Sequence, residues 1–131
     1  AILMKPLTGM NMSGKAGKEF CTNQGLSLSN VHVIVDDIDL PLGKLRIRPK
    51  GGDGCHRGME SIIYQNRDIN FPRIRFGIAV GSNLRPSEQY VLNDFKKSDQ
   101  NLADEMIVKA ADAAELIFEY GLNKAMNKYN A

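Results

Sequence analysis

No stretch of this sequence approaches the roughly 18 consecutive apolar residues that a membrane-spanning helix requires. The longest apolar runs, such as Ala113–Ala114 with Leu116–Phe118, are interrupted by charge. Cysteine occurs only twice, as Cys21 and Cys55, without metal-ligand spacing or a framework of pairs. That excludes a disulfide scaffold and makes a reducing cytoplasm the expected location. Net charge is also scarce, since 17 Lys+Arg against 15 Asp+Glu leave +2, which alone says little about nucleic acid. The Gly-x-Ser-x-Gly elbow, HExxH and CxxC are all missing, and the glycine-rich text "KGGDGCHRG" matches neither the P-loop nor the dinucleotide fingerprint.

What is present is the composition of an ordinary globular protein, 43% hydrophobic and 24% charged over 131 residues, which predicts one domain. The positive charge is unevenly spread. "KLRIRPK" runs from Lys44 to Lys50, and Arg57, Arg67, Arg73 and Arg75 follow, whereas acids are frequent from Asp94 to Glu119. This asymmetry predicts one basic face.

The apolar run Ala1–Lys5, ended by Pro6, reads as a strand leaving the core. A helix is expected from Asn11 or Ser13 to about Asn23, stopped by Gly25. "VHVIV" (Val31–Val35) reads as a buried central strand that ends at Asp36. "KLRIRP" and "RIRFGIAVG" alternate with period 2, as strands with one wet face do. Helices are expected from His56 to about Gln65, over "RPSEQYVL", and from Ser98 or Asp99 to about Tyr120, with Leu102, Met106, Ala110, Ala113 or Ala114 and Ile117 on one face. "LNKAMNKYN" reads as a polar tail. Alternating strands and helices with a basic hairpin predict an α/β layer fold with a mixed sheet.

Asp36 falls at the carboxyl end of an apolar strand, where ligands gather in open α/β sheets; equally, "DDIDLP" supplies turn residues. Asn11 is a polar amide beside a glycine-rich helix entry, suited to a substrate or to an N-cap. His56 precedes a helix, where it could hold a phosphate, act as a base or pack structurally; His32, within a strand, reads as structural. Gly51, Gly52 and Gly54 permit close approach of a ligand. With Arg46, Arg48, Arg57, Arg73 and Arg75 they form either an anion-binding rim before a helix or a solvated basic face.

Taken together, "LMKPLTGMNMSGKA", "VIVDDIDLPLGKLRIRPKGGDGCHRGMESII", "FPRIRFGIAVG" and "GLNKAMNKYN" occur in the order and spacing of bacterial-type peptidyl-tRNA hydrolase, which the chain resembles. The resemblance implies a three-layer α/β/α fold with a mixed sheet. It also implies hydrolysis of the ester joining a peptide to tRNA, with no metal and no cofactor. Asp36 matches the acid that orients the family's catalytic histidine. Met10 and Asn11 match residues lining the pocket for peptide and terminal nucleotide. Arg48 and Arg75, with Arg46 close by, match basic residues that grip tRNA phosphates.

Two departures accompany the match. The family's catalytic histidine lies in an N-terminal segment, after a Gly-Asn-Pro-Gly motif, that this sequence does not contain, so the resemblance covers roughly the C-terminal two thirds of the family's length. His56 matches a different histidine. Arg57 stands where the family carries the Asn of "GHNG", an amide that helps to hold substrate and water. Milder changes are Cys55 for glycine and Gly9 for an aromatic residue. The expectation is therefore a single, N-terminally truncated domain over residues 1–131 from a monomeric cytoplasmic enzyme with tRNA as partner and no membrane association. The rival expectations are an RNA-binding relative of the same fold that has lost catalysis, and a bare fragment.

Overall fold

The computed structural model describes residues 1–130. The chain forms two compact units, Ala1–His32 with Pro49–Pro72, and Val33–Arg48 with the chain from Arg73 onward.

In the first unit, a 3-10 turn at Met10–Met12 leads into helix α1, Ser13–Gln24, and helix α2 spans Arg57–Asn66. Gly25, at φ 65°, ends α1 in the left-handed conformation. The helices pack closely against each other. The Gly14 N–H donates to the Ser61 hydroxyl at 2.9 Å, and the Lys18 ammonium donates to the Gln65 carbonyl at 2.9 Å. Because Gly14 has no Cβ, its backbone lies directly on the α2 backbone at Ser61 and Ile62.

The second unit is built on a three-stranded mixed sheet in the order β1-β3-β2, with β1 at Val33–Pro41, β2 at Leu45–Arg48 and β3 at Arg73–Ala79. β1 runs parallel and β2 antiparallel to β3. After the short α3 (Ser87–Leu92) come α4 (Gln100–Tyr120) and α5 (Leu122–Tyr129), separated by Gly121. Leu45, Ile47 and Ile74 form one core with Met106, Ala110, Ala113 and Ile117 of α4 and Ala125 of α5. Alanine at three of the five helical core positions keeps α4 and α5 close to the sheet.

Several sequence expectations change. Ala1–Lys5 is exposed and forms no strand, because an apolar run becomes a strand only where a ladder is available to it. β1 is an edge strand and β3 the central one. β1 also continues through the acids to Pro41, helped by a register shift between Asp37 and Pro41, so Asp36 is mid-strand rather than past its end. His32 lies just before β1 instead of inside it. "LNKAMNKYN" is helical over α5, because Leu122, Ala125, Met126 and Tyr129 recur at helical spacing and pack on the core. Leu102 is 40% exposed; Ala103 takes its place in the core.

Candidate active site and nucleic-acid interface

Side chains alternate across a strand, and the register of the sheet therefore sorts the candidate residues by face. Arg46 lies opposite Arg75, Arg48 opposite Arg73, and Val33 and Val35 of β1 pair with Arg73 and Arg75. These four arginines share one face of the sheet. Asp37, opposite Gly77, belongs to that face too, and its carboxylate forms an ion pair with the Arg75 guanidinium. Asp36 pairs with Phe76 and so points to the other face, the one carrying Ile74, Leu45 and Ile47. The two adjacent acids thus serve different surroundings. Asp39 is engaged by Arg85, whose Nη2 donates to its two carboxylate oxygens at 3.0 and 2.9 Å.

The four arginines differ in their freedom. Arg73 is 2% exposed, and burial together with the neighbouring Arg75 lowers its pKa, though guanidinium remains charged at neutral pH. Arg75 is held by Asp37. Arg46 donates from Nη1 to the Asn130 carbonyl at 2.5 Å. Arg48 is exposed, and its Nη1 donates to the Ile47 carbonyl at 3.2 Å. Of the basic rim read from the sequence, Arg73 is a core residue, while Arg46, Arg48 and Arg75 present partly or fully accessible charge.

In the first unit, Met10 and Asn11 are exposed in the 3-10 turn. Asn11 does not cap α1: the cap position is Met12, without a side-chain bond, and the Ser13 hydroxyl donates to the Met10 carbonyl at 2.8 Å. The Met10 sulfur reaches α2 at Gly58, where a Cβ would stand 2.7 Å from it and 3.0 Å from the His56 Cε1. The glycine after His56 and Arg57 therefore makes room for the methionine.

His56 is the N-cap of α2, its Nδ1 accepting from the Gly58 and Met59 N–H groups at 3.1 and 3.2 Å. An Nδ1 that accepts is unprotonated, so the neutral ring carries its proton on Nε2 and has no lone pair there for a substrate proton. This geometry removes His56 as a general base and gives it a structural role. Arg57 occupies the first position of α2.

Burial holds the His32 imidazole below its ordinary value near 6.5. A base with a depressed folded pKa binds its proton more readily in the unfolded chain. Its contribution to stability is thus complete above about 6.5 and is lost as pH falls below that value. An NMR titration is expected to show the His32 ring titrating below pH 6.5; a midpoint at or above 6.5 would contradict its burial.

Among the described residues no group of three or more His, Cys, Asp or Glu converges as metal ligands, and no helix is long and apolar enough to cross a membrane. Both cysteines are free. Sequence reasoning missed Asn130, whose side chain seals the outer edge of β2. It also missed Tyr90, whose hydroxyl donates to the Ile78 carbonyl at 2.5 Å and accepts from the Val80 N–H at 3.0 Å. Nothing in the local sequence signals either contact, since both partners are set by tertiary packing.

The fold is a mixed α/β protein with an arginine-bearing strand pair and an acid on the opposite face of the same sheet. Comparison with known proteins makes this specific. Residues 1–131 match the family described as Peptidyl-tRNA hydrolase. The chain is 47% identical to the peptidyl-tRNA hydrolase of Thermoanaerobacter sp. (strain X514), over 98% of this chain and 69% of that protein. It is 41% identical to that of Desulforudis audaxviator, over 99% and 65%. A crystal structure of peptidyl-tRNA hydrolase from Acinetobacter baumannii superposes with a TM-score of 0.84 at 31% identity, covering 96% of this chain and 64% of that one. The chain belongs to the peptidyl-tRNA hydrolase family, as the resemblance of its motifs implies, and has that family's fold. It spans about two thirds of the length of these relatives.

Proposed function

We propose that this chain carries the tRNA-gripping and acid-bearing part of an enzyme that hydrolyses the ester bond of peptidyl-tRNA. The observation that carries the reading is the pairing of family membership with a sheet whose arginine face and Asp36 face are distinct. Arg48, Arg46 and Arg75 would meet tRNA phosphates, and Met10 and Asn11 the peptide and terminal nucleotide. Asp36 would accept an imidazole N–H and fix the tautomer, leaving the other ring nitrogen to deprotonate water. The water oxygen then bonds to the ester carbonyl carbon, the carbon–oxygen bond to the ribose breaks, and the imidazolium returns its proton to the ribose oxygen. His56, used as a cap, is not that imidazole. Two free cysteines fit a reducing cytoplasm, and we assign the protein there as a monomer.

Phosphate contacts release counterions, so binding of deacylated tRNA should fall steeply with salt. Arg48→Ala is expected to reduce the slope of log K against log salt by about 1, because the exposed guanidinium is the most accessible of the three. An unchanged slope would remove Arg48 from the interface.

Arg57 favours a second reading, a relative that binds RNA without hydrolysis, since a long cation replaces a compact amide. Arg57→Asn, made in a chain with the family's histidine-bearing segment restored ahead of Ala1, separates the two: a gain in hydrolysis marks an impaired enzyme, while no gain and weaker RNA binding mark an RNA-binding protein.

A further inference from the structure

β2 is an edge strand, and its outer side is closed by one residue far away in sequence. The Asn130 Oδ1 accepts from the Ile47 N–H at 2.7 Å, and its Nδ2 donates to the Ile47 carbonyl at 2.9 Å. The side-chain amide thus copies the donor and acceptor of a neighbouring strand and blocks an edge that would otherwise invite pairing. The Asn130 N–H is itself held by the Met126 carbonyl at 2.9 Å, which fixes the residue to the end of α5.

Both accessible arginines of β2 converge on this clasp. Arg46 donates to the Asn130 carbonyl, and Arg48 donates to the same Ile47 carbonyl that the Asn130 amide holds. Each guanidinium commits Nη1 and retains further donors for an anion. Building on the proposed tRNA-binding function, we propose that Asn130 is a positioning residue of the RNA grip, presetting Arg46 directly and Arg48 through Ile47. Preorganised side chains lose less freedom when a phosphate arrives, so the clasp raises RNA affinity without touching RNA.

The test is deacylated tRNA binding across a salt series, with the unsubstituted chain, Asn130→Ala, the Arg46→Ala/Arg48→Ala pair and the triple variant. Asn130→Ala is expected to weaken binding by about 3- to 10-fold at fixed salt with the salt slope nearly unchanged, and by less than about 1.5-fold once both arginines are gone. Asn130→Gln keeps donor and acceptor, protects the fold and should restore part of the affinity; it serves as the probe if Asn130→Ala unfolds. Equal losses in both backgrounds, or no loss from either Asn130 variant, would overturn the positioning role while leaving the tRNA reading intact. If the unsubstituted chain shows no salt-dependent tRNA binding, the functional reading falls and this proposal with it.

Discussion

Asp36→Asn is expected to slow hydrolysis of peptidyl-tRNA by about 10²–10⁴-fold, the contribution of a correctly poised general base. The natural setting for the measurement is a chimera in which the part of the Thermoanaerobacter relative that precedes the matched residues is joined ahead of Ala1. The exchange preserves shape but removes the charge, and an amide can donate where the carboxylate could only accept, so the wrong imidazole tautomer becomes favourable. The loss should appear in kcat and leave KM nearly unchanged, because Asp36 points away from the arginine face. Asp37→Asn should do the reverse. It releases Arg75 from its ion pair and alters tRNA binding more than turnover. Equal kcat losses from the two substitutions would contradict the assignment of these neighbours to opposite faces.

Gly14→Ala carries the largest expected effect on stability, a loss of about 3 kcal/mol or more, at the upper end of overpacking costs. A Cβ at position 14 would overlap the Ser61 carbonyl and stand 2.7 Å from the Ile62 nitrogen. These are helix backbone atoms and cannot swing aside as a side-chain end would. Relief requires α1 to shift, which breaks the Gly14 N–H bond to the Ser61 hydroxyl. Gly17 in the same helix is the internal control, since a Cβ there meets nothing within 4 Å. Gly17→Ala should stabilise by about 0.5–1 kcal/mol through helix propensity and a less flexible unfolded chain. Urea unfolding of the two variants distinguishes the effects; a Gly14→Ala protein as stable as its parent would contradict the close packing of α1 on α2.

Where pattern and physical cause coincide, the sequence was readable. The alternation of "KLRIR" and "RIRFGIA" gave β2 and β3, and the spacing of Met106, Ala110, Ala113 and Ile117 gave α4. Ala1–Lys5 misled because apolar composition states a preference for burial without stating which partner supplies it. The acids after Val35 resembled a turn, yet the irregular register lets β1 run through them. That one difference sorts the two acids. Only a strand continuing past Asp36 sends Asp36 and Asp37 to opposite faces. α5 carried a legible signal in the helical spacing of Leu122, Ala125, Met126 and Tyr129, but the Asn and Lys between them read as a polar tail. For the candidate site the basic strand was visible in full, but the commitments of Arg46 to Asn130 and Arg75 to Asp37 arise from tertiary contacts.

The most direct test of the functional account is release of tRNA from an N-acetylaminoacyl-tRNA by the same chimera, measured alongside its Arg57→Asn and Asp36→Asn variants. The account predicts hydrolysis that Arg57→Asn raises and Asp36→Asn suppresses. A chimera that folds and binds tRNA with steep salt dependence, yet releases none even with Arg57→Asn, would contradict it and leave RNA binding as the function of this chain.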